Sequence, residues 1–304
     1  MSSRWLALLL LVPALAGCRG AGERADRPEA PARPPPPLAA IVESYNARAG
    51  LLSQVWSRLT LRVEATDEDG SKRVENTEGY LQFVQPSRVS LMVNKLGETY
   101  LVLGCDEERY WWMSLTDERT ALVGRHDRAT PERAAEFGIP MHPLDMLDLM
   151  AVRPVEAGSA SASWDGPLVR LTLPARSDSW GPRQVWLEGD AYTPVRARVL
   201  DAAGATVAES ELRDHGPITV RQGATPPRLA RTVLIIVPPR QARVRMQLMD
   251  ADNRTPRPEV FDLWELVKRY RIGAERVLDL DRRRGSSEEA GPEARSGPAL
   301  DTGA

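Results

Sequence analysis

Residues Arg88 to Leu115 read Arg-Val-Ser-Leu-Met-Val-Asn-Lys-Leu-Gly-Glu-Thr-Tyr-Leu-Val-Leu-Gly-Cys-Asp-Glu-Glu-Arg-Tyr-Trp-Trp-Met-Ser-Leu, three strand-like runs parted by Asn94 to Gly97 and by Cys105 to Glu108. Val89, Leu91 and Val93 alternate with Arg88, Ser90 and Asn94. That period of two sets one face on a core and the other toward water. Both turns are polar apart from Leu96, at the tip of the first. An apolar side chain at a hairpin tip has little of its own fold to pack against, so it either folds back or meets something outside the domain.

The same period recurs along the chain. Leu59, Leu61 and Val63 alternate with Thr60, Arg62 and Glu64, Asp67 to Gly70 closes a hairpin, and the partner strand runs through Gly79 to Val84. Val169, Leu171 and Leu173 form a further strand, as do Val195, Ala197 and Val199, and Val244, Met246 and Leu248. Arg183 to Leu187, Thr206 to Leu212 and Leu229 to Val237 complete a set of about ten or eleven strands joined by short turns, an antiparallel meander. Helices fall only before, amid and after them. Leu38 to Ser53 is amphipathic through Ile41, Tyr45, Ala49 and Leu52. Thr130-Pro131 opens a helix with Thr as N-cap and Pro in the first turn. After Pro140 and Pro143 a short helix carries Leu144, Leu147 and Met150 as an apolar stripe beside Met146, with Asp145 and Asp148 assigned to its polar face. Val260 to Arg271 packs as a terminal helix through Phe261, Trp264 and Val267.

The first twenty residues are an address. Arg4 supplies a basic start and Leu6 to Leu15 an apolar stretch too short to span a bilayer comfortably. Leu15-Ala16-Gly17-Cys18 follows, and it resembles the lipobox of bacterial lipoproteins, which implies cleavage before Cys18 and its lipidation. Ala14-Leu15-Ala16 also fits an ordinary secretory cleavage site, and an uncleaved anchor is the third reading. Three acyl chains at Cys18, at roughly 0.8 kcal/mol per buried methylene, amount to permanent attachment. Arg19 rather than an aspartate after the cysteine resembles the outer-membrane address, so the expected location is the outer membrane facing the periplasm. Arg33 to Pro37 closes a segment that favours polyproline II, a semi-rigid spacer. The expected organisation is a signal peptide over 1–17, a lipidated cysteine and Pro-rich linker over 18–40, a folded domain over 41–270 and a disordered tail over 271–304.

The 304 residues leave room for one large β domain, and a formal net charge of −2 speaks against nucleic acid as partner. With Cys18 lipidated, the other of the two cysteines, Cys105, has no partner, and reads as a small buried or turn residue or else a reactive thiol. No GxSxG, HExxH, P-loop or dinucleotide fingerprint is present, and the three histidines, His126, His142 and His215, have no metal-ligand spacing. The expectation is a protein that is not an enzyme, with no metal and no cofactor.

Two segments carry a family resemblance. Arg88 to Leu103 is similar to the hairpin whose protruding loop presents a leucine before a glycine, here Leu96-Gly97, and Phe137-Gly-Ile-Pro-Met-His-Pro-Leu144 with the helix after it is similar to a Gly-x-Pro-x-Pro-Leu segment entering a lid helix. With the lipobox, spacer and meander, the chain resembles the LolA/LolB superfamily of periplasmic lipoprotein carriers and receptors, and being lipidated it is more similar to the LolB side. The likeness covers roughly Ile41 to Trp264, and departs at Lys95, where that family tends to have proline. It implies a mainly β fold, an unclosed antiparallel β-barrel wrapped around helices that form a lid over an apolar cavity. It also implies binding of the acyl chains of a lipoprotein or other lipid, transfer to a membrane, and a soluble periplasmic carrier as partner. Leu96 and Gly97 are then the membrane-insertion loop. The cavity-lining candidates are Leu91, Val93, Leu101, Trp111, Met113, Leu144 and Leu147, each of which equally suits an ordinary core. The alternative is a scaffold or sensor lipoprotein that binds a protein partner through Trp111-Trp112 with Arg196 and Arg198.

Overall fold

A computed structural model describes residue 34 and residues 36–66, 70–116, 118–135, 142–220 and 226–282. The signal peptide, Cys18 and most of the linker, together with residues 136–141 and 283–304, lie outside the described residues.

The period-two runs become one sheet. In chain order its strands are β1 Gln54–Thr66, β2 Lys72–Val84, β3 Arg88–Lys95, β4 Glu98–Cys105, β5 Arg109–Ser114, β6 Thr120–Arg125 and β7 Ser161–Asp165. There follow β8 Leu168–Leu173, β9 Trp180–Glu188, β10 Thr193–Asp201, β11 Thr206–Pro217, β12 Arg228–Val237, β13 Ala242–Asp252 and β14 Val277–Asp279. The spatial order is β14-β6-β5-β4-β3-β2-β1-β13-β12-β11-β10-β9-β8-β7, fourteen strands in a sheet whose edges stay apart. β1 to β6 and β7 to β13 are each a run of sequential hairpins, and β14 adds in parallel at the β6 edge. The halves meet where β1 pairs antiparallel with β13, with Leu61 opposite Met246 and Leu59 opposite Leu248. The protein is therefore mainly β, an unclosed barrel-like sheet with four α-helices among the described residues.

The expected set omitted β6, β7 and β14. Ser161–Asp165 has one large apolar residue, Trp164, and β14 is three residues long, so neither carries a periodic signal, and the hydrogen-bonding edge they add to is supplied by β8 and β6. Val277–Asp279 runs parallel to Ala121–Val123 and Leu280 is buried. The ordered chain thus continues past residue 270, where the tail was expected to begin.

Two cores lie on the two faces of the sheet. The inner, larger one receives α1 (Leu38–Leu51) through Ile41, Val42, Tyr45 and Ala49, and α3 (Pro143–Leu149). A short α2, Pro131–Ala135, precedes α3, and the Thr130 hydroxyl accepts from Arg133 N at 3.3 Å as its cap. The Gln85 amide ties these pieces together by donating to the carbonyls of Ala49 and Leu52, both at 3.0 Å. The outer core is Val102, Trp111, Met113 and Ala121 beneath α4 (Leu263–Arg269). Here the expected helix face is rotated. Asp262 caps α4 by accepting from Trp264 N and Glu265 N, which sets Leu263 and Leu266 inward and leaves Trp264 55% exposed. Among the described residues both cores and every strand pairing are made within residues 36–282, so the compact unit Pro35–Ala304 holds what it needs to fold without the leader.

Candidate functional site

Lys95 and Glu98 face each other across the β3–β4 ladder, so only Leu96 and Gly97 turn the chain. Both have positive φ, +54° and +84°, the geometry of a two-residue type I′ turn. Asn-Gly is the usual solution there. A leucine in the left-handed region costs roughly 1–2 kcal/mol because its Cβ crowds the following carbonyl. Leu96 receives nothing from the fold in return, since it is 98% exposed. Just below it the Thr99 hydroxyl donates to Asn94 Oδ1 at 2.9 Å, which steadies the base of the tip.

The expected lining residues divide between the two cores. Leu91, Val93, Leu101, Leu144 and Leu147 are buried together in the inner core. Trp111 and Met113 are not with them: they face the outer core under α4. Strand alternation is the reason. Tyr110 and Trp112 of β5 take the inner side, which leaves Trp111 and Met113 on the other. Gly104 opposite Trp111 lets the indole lie flat, since a Cβ there would meet the indole nitrogen at 2.8 Å. The Trp111-Trp112 pair is thus split across the sheet, Trp111 fully buried and Trp112 packed against the inner core. Arg196 and Arg198 are also engaged, both over the Trp186 ring at 4.9 and 5.1 Å, with Arg198 bound to Glu209 at 2.9 Å.

The space between sheet and helices is filled by Ile41, Tyr45, Met146 and Leu147, each no more than 2% exposed. A cavity of about 550 Å³ opens beside α3, its lining divided between the polar His126, His142, Arg153, Arg176 and Arg183 and the apolar Leu144, Val155, Leu173 and Trp180. The burial of α3 itself corrects its polar-face assignment. All seven residues of that helix are buried, Asp145 and Asp148 included. Asp148 accepts from Arg183 Nη1 at 2.7 Å and Arg153 Nη1 at 3.3 Å, with Arg176 Nη1 at 4.0 Å. Asp145 accepts from Arg176 and, at 2.9 Å, from His142 N, the latter closing the first turn of α3. The two carboxyls titrate apart. Burial raises both, and for Asp145 burial prevails over Arg176, pushing it up to about 6. For Asp148 burial is overcome by Arg153, Arg183 and Arg176 together, which hold it below the usual carboxylate range.

The two histidines meet in the fold although sixteen residues separate them. His126 Nε2 lies 2.8 Å from the Asp106 carbonyl, His126 Nδ1 lies 3.1 Å from His142 Nε2, and Leu144 N lies 3.1 Å from His142 Nδ1. A carbonyl can only accept and a backbone N–H can only donate, so each ring carries its proton on Nε2 and the bonds run one way. All four ring nitrogens are spent. Burial lowers both imidazoles, His142 well below its ordinary value with help from Arg176. Neither ring is free to act as a base or a ligand. Cys105 is fully buried, donates to the Ser87 carbonyl at 3.0 Å and has its thiol pushed up by burial, the inert case of the two readings. Among the described residues no group of three His, Cys, Asp or Glu side chains could hold a metal ion.

No family model and no curated relative matches the sequence. Among solved structures, the chain is similar to a LolA superfamily protein from Nitrosomonas europaea, at a TM-score of 0.47 and 12% identity over 74% of this chain and 97% of that one. It is similar also to a putative outer membrane lipoprotein-sorting protein domain from Vibrio parahaemolyticus, at 0.49 and 11% over 76% and 96%. A DUF1329 family protein from Desulfovibrio piger gives 0.47 and 11% over 76% and 99%. At such identities no residue's role carries across.

Proposed function

We propose that this protein is a non-catalytic lipid-handling lipoprotein of the LolB kind, tethered through Cys18 to the outer membrane and facing the periplasm. It takes acyl chains of a lipoprotein or another lipid against the inner face of its sheet and delivers them to the bilayer with Leu96 as the contact. The Pro-rich composition between Cys18 and the folded domain suits a spacer that would give the tip reach. The observation that carries this reading is Leu96, a 98% exposed leucine held at positive φ in a two-residue turn where the fold has no use for it. Acyl chains would replace the side chains of α1 and α3 against Leu91, Val93 and Leu101, so uptake requires those helices to give way.

The test is transfer of an acylated cargo to vesicles by purified protein carrying Leu96→Glu. An acidic side chain taken below the headgroups costs on the order of 2–3 kcal/mol, so transfer should fall by roughly a hundredfold while thermal unfolding stays as in the parent. Undiminished transfer sinks the role of Leu96. Native mass spectrometry of the same preparation should show co-purifying lipid, and a protein that stays empty when offered lipid sinks the carrier role.

A further inference from the structure

The Leu96 tip closes one end of a shallow trough of about 560 Å³ on the outer face of the sheet. Its cations are Arg62 of β1, Arg245 of β13 and Lys95, and the one carboxylate lining it is Glu78. Neutral hydrogen-bonding side chains line it as well, among them Thr60, Asn76 and Gln247.

The strand register gives this trough an unusual feature. Arg62 stands directly opposite Arg245 in the antiparallel ladder, and like charges in that position destabilise the pair. Glu64, the nearby acid, is bound to Arg62 at 2.8 Å and is itself opposite Arg243, so it is shared already. Arg245 forms no ion pair among the described residues and is exposed. The fold thus keeps two guanidiniums abreast and Lys95 beside an exposed leucine. An oxyanion shared by the two planar forks turns that repulsion into attraction.

We infer that this trough docks the phosphate headgroups of anionic phospholipids, so that Arg62, Arg245 and Lys95 read the surface charge of a membrane while Leu96 enters its apolar layer. The inference rests on the proposed membrane contact of Leu96. It also answers a shortfall in that proposal. One leucine raises partition into a bilayer by only roughly ten- to a hundredfold, and it does so on any membrane. Each basic residue near an anionic surface adds about a further fivefold, and confers a preference.

The test uses the compact unit Pro35–Ala304 and its co-sedimentation with two kinds of vesicle, phosphatidylcholine alone and phosphatidylcholine mixed with phosphatidylglycerol. The parent should bind the mixed vesicles more tightly, and the excess should vanish in high salt. Arg62→Gln with Arg245→Gln should weaken binding to the mixed vesicles by about 25-fold and leave binding to phosphatidylcholine unchanged. Its thermal midpoint should change little, because the variant removes the repulsion together with the exposed Arg62–Glu64 pair, a weak contributor to stability. Equal binding of the parent to both vesicles, or a double variant that binds the mixed vesicles as the parent does, overturns the inference. Leu96→Ser separates the two ideas: binding lost on both vesicles supports the tip, whereas binding kept on both overturns the tip whatever the arginines do.

Discussion

Asp148 and Leu96 are each in the wrong solvent for their chemistry, a carboxylate that is 6% exposed and a leucine that is 98% exposed. The fold accounts for the first. Three guanidiniums converge on Asp148, Asp145 takes one of them as well, and the Arg176 guanidinium rests 4.5 Å over Trp180. The cost of desolvating the acid is met within the molecule. Among the described residues nothing meets the cost of Leu96, neither its exposure nor its left-handed backbone. A misplaced group whose partners are all internal is architecture, and one with no internal partner points outward. That contrast, rather than burial or charge alone, separates the Asp145–Asp148 cluster of α3, which is architecture, from the hairpin tip, which is proposed as the membrane contact.

The contrast breaks first at Asp148. Asp148→Ala should cost about 3–5 kcal/mol in urea unfolding, because it strands Arg153 and Arg183 at a buried helix, and should leave vesicle binding by the tip intact. A cost under about 1 kcal/mol would mean that the cluster does not hold α3 in place.

A second test sharpens the architectural side through pH. His126, His142 and His215 are all held below their ordinary 6.5, chiefly by burial, so the stability tied to their neutral forms is complete above that value and drains away as pH falls and the unfolded chain takes up protons. Asp145 works the other way. Its carboxyl is raised from 3.8 to about 6, so its contribution is complete below 3.8 and is lost as pH rises through 6. Between pH 6.5 and about 5 the histidines outnumber it and stability should fall, by up to roughly 1.4 kcal/mol per pH unit for each net proton. Asp145→Asn removes the opposing group and should steepen that fall, as read from unfolding midpoints across a pH series. A slope equal to the parent's would show that Asp145 is ionised throughout.

The smallest effect concerns the tip. Leu96→Asn suits the type I′ turn and should raise stability by about 0.5–1 kcal/mol while weakening membrane contact, a gain and a loss from one substitution. If stability falls instead, Leu96 is contributing to packing and the contrast with Asp148 fails.

Much of this molecule was legible from residue spacing. The three strands of Arg88–Leu115, the amphipathic start of α1, the Thr130-Pro131 helix opening and the place of Leu96 at a hairpin tip all follow from local patterns of two or 3.6 residues and from turn chemistry, whereas whether Leu96 folds back or stays exposed did not. The face taken by each strand was less so. Trp111 and Trp112 are equally apolar, and which of them enters the inner core depends on the pairing of β5 with β4 and β6. The acids of α3 read as a solvated face because two aspartates one turn apart normally are one. Arg153, Arg176 and Arg183, scattered over thirty residues of loops and strand, gave no local sign that they would converge there.

The sequence by itself determined the mainly β architecture, the order of hairpins and the odd leucine at one tip, because those depend on neighbours along the chain. Only the tertiary structure decided that the sheet stays open at fourteen strands, that β1 meets β13, that the two histidines spend every nitrogen on one another and the backbone, and that Arg62 stands against Arg245. Each of these joins residues far apart in sequence, and such pairs are chosen by global packing and charge pairing rather than by any local preference.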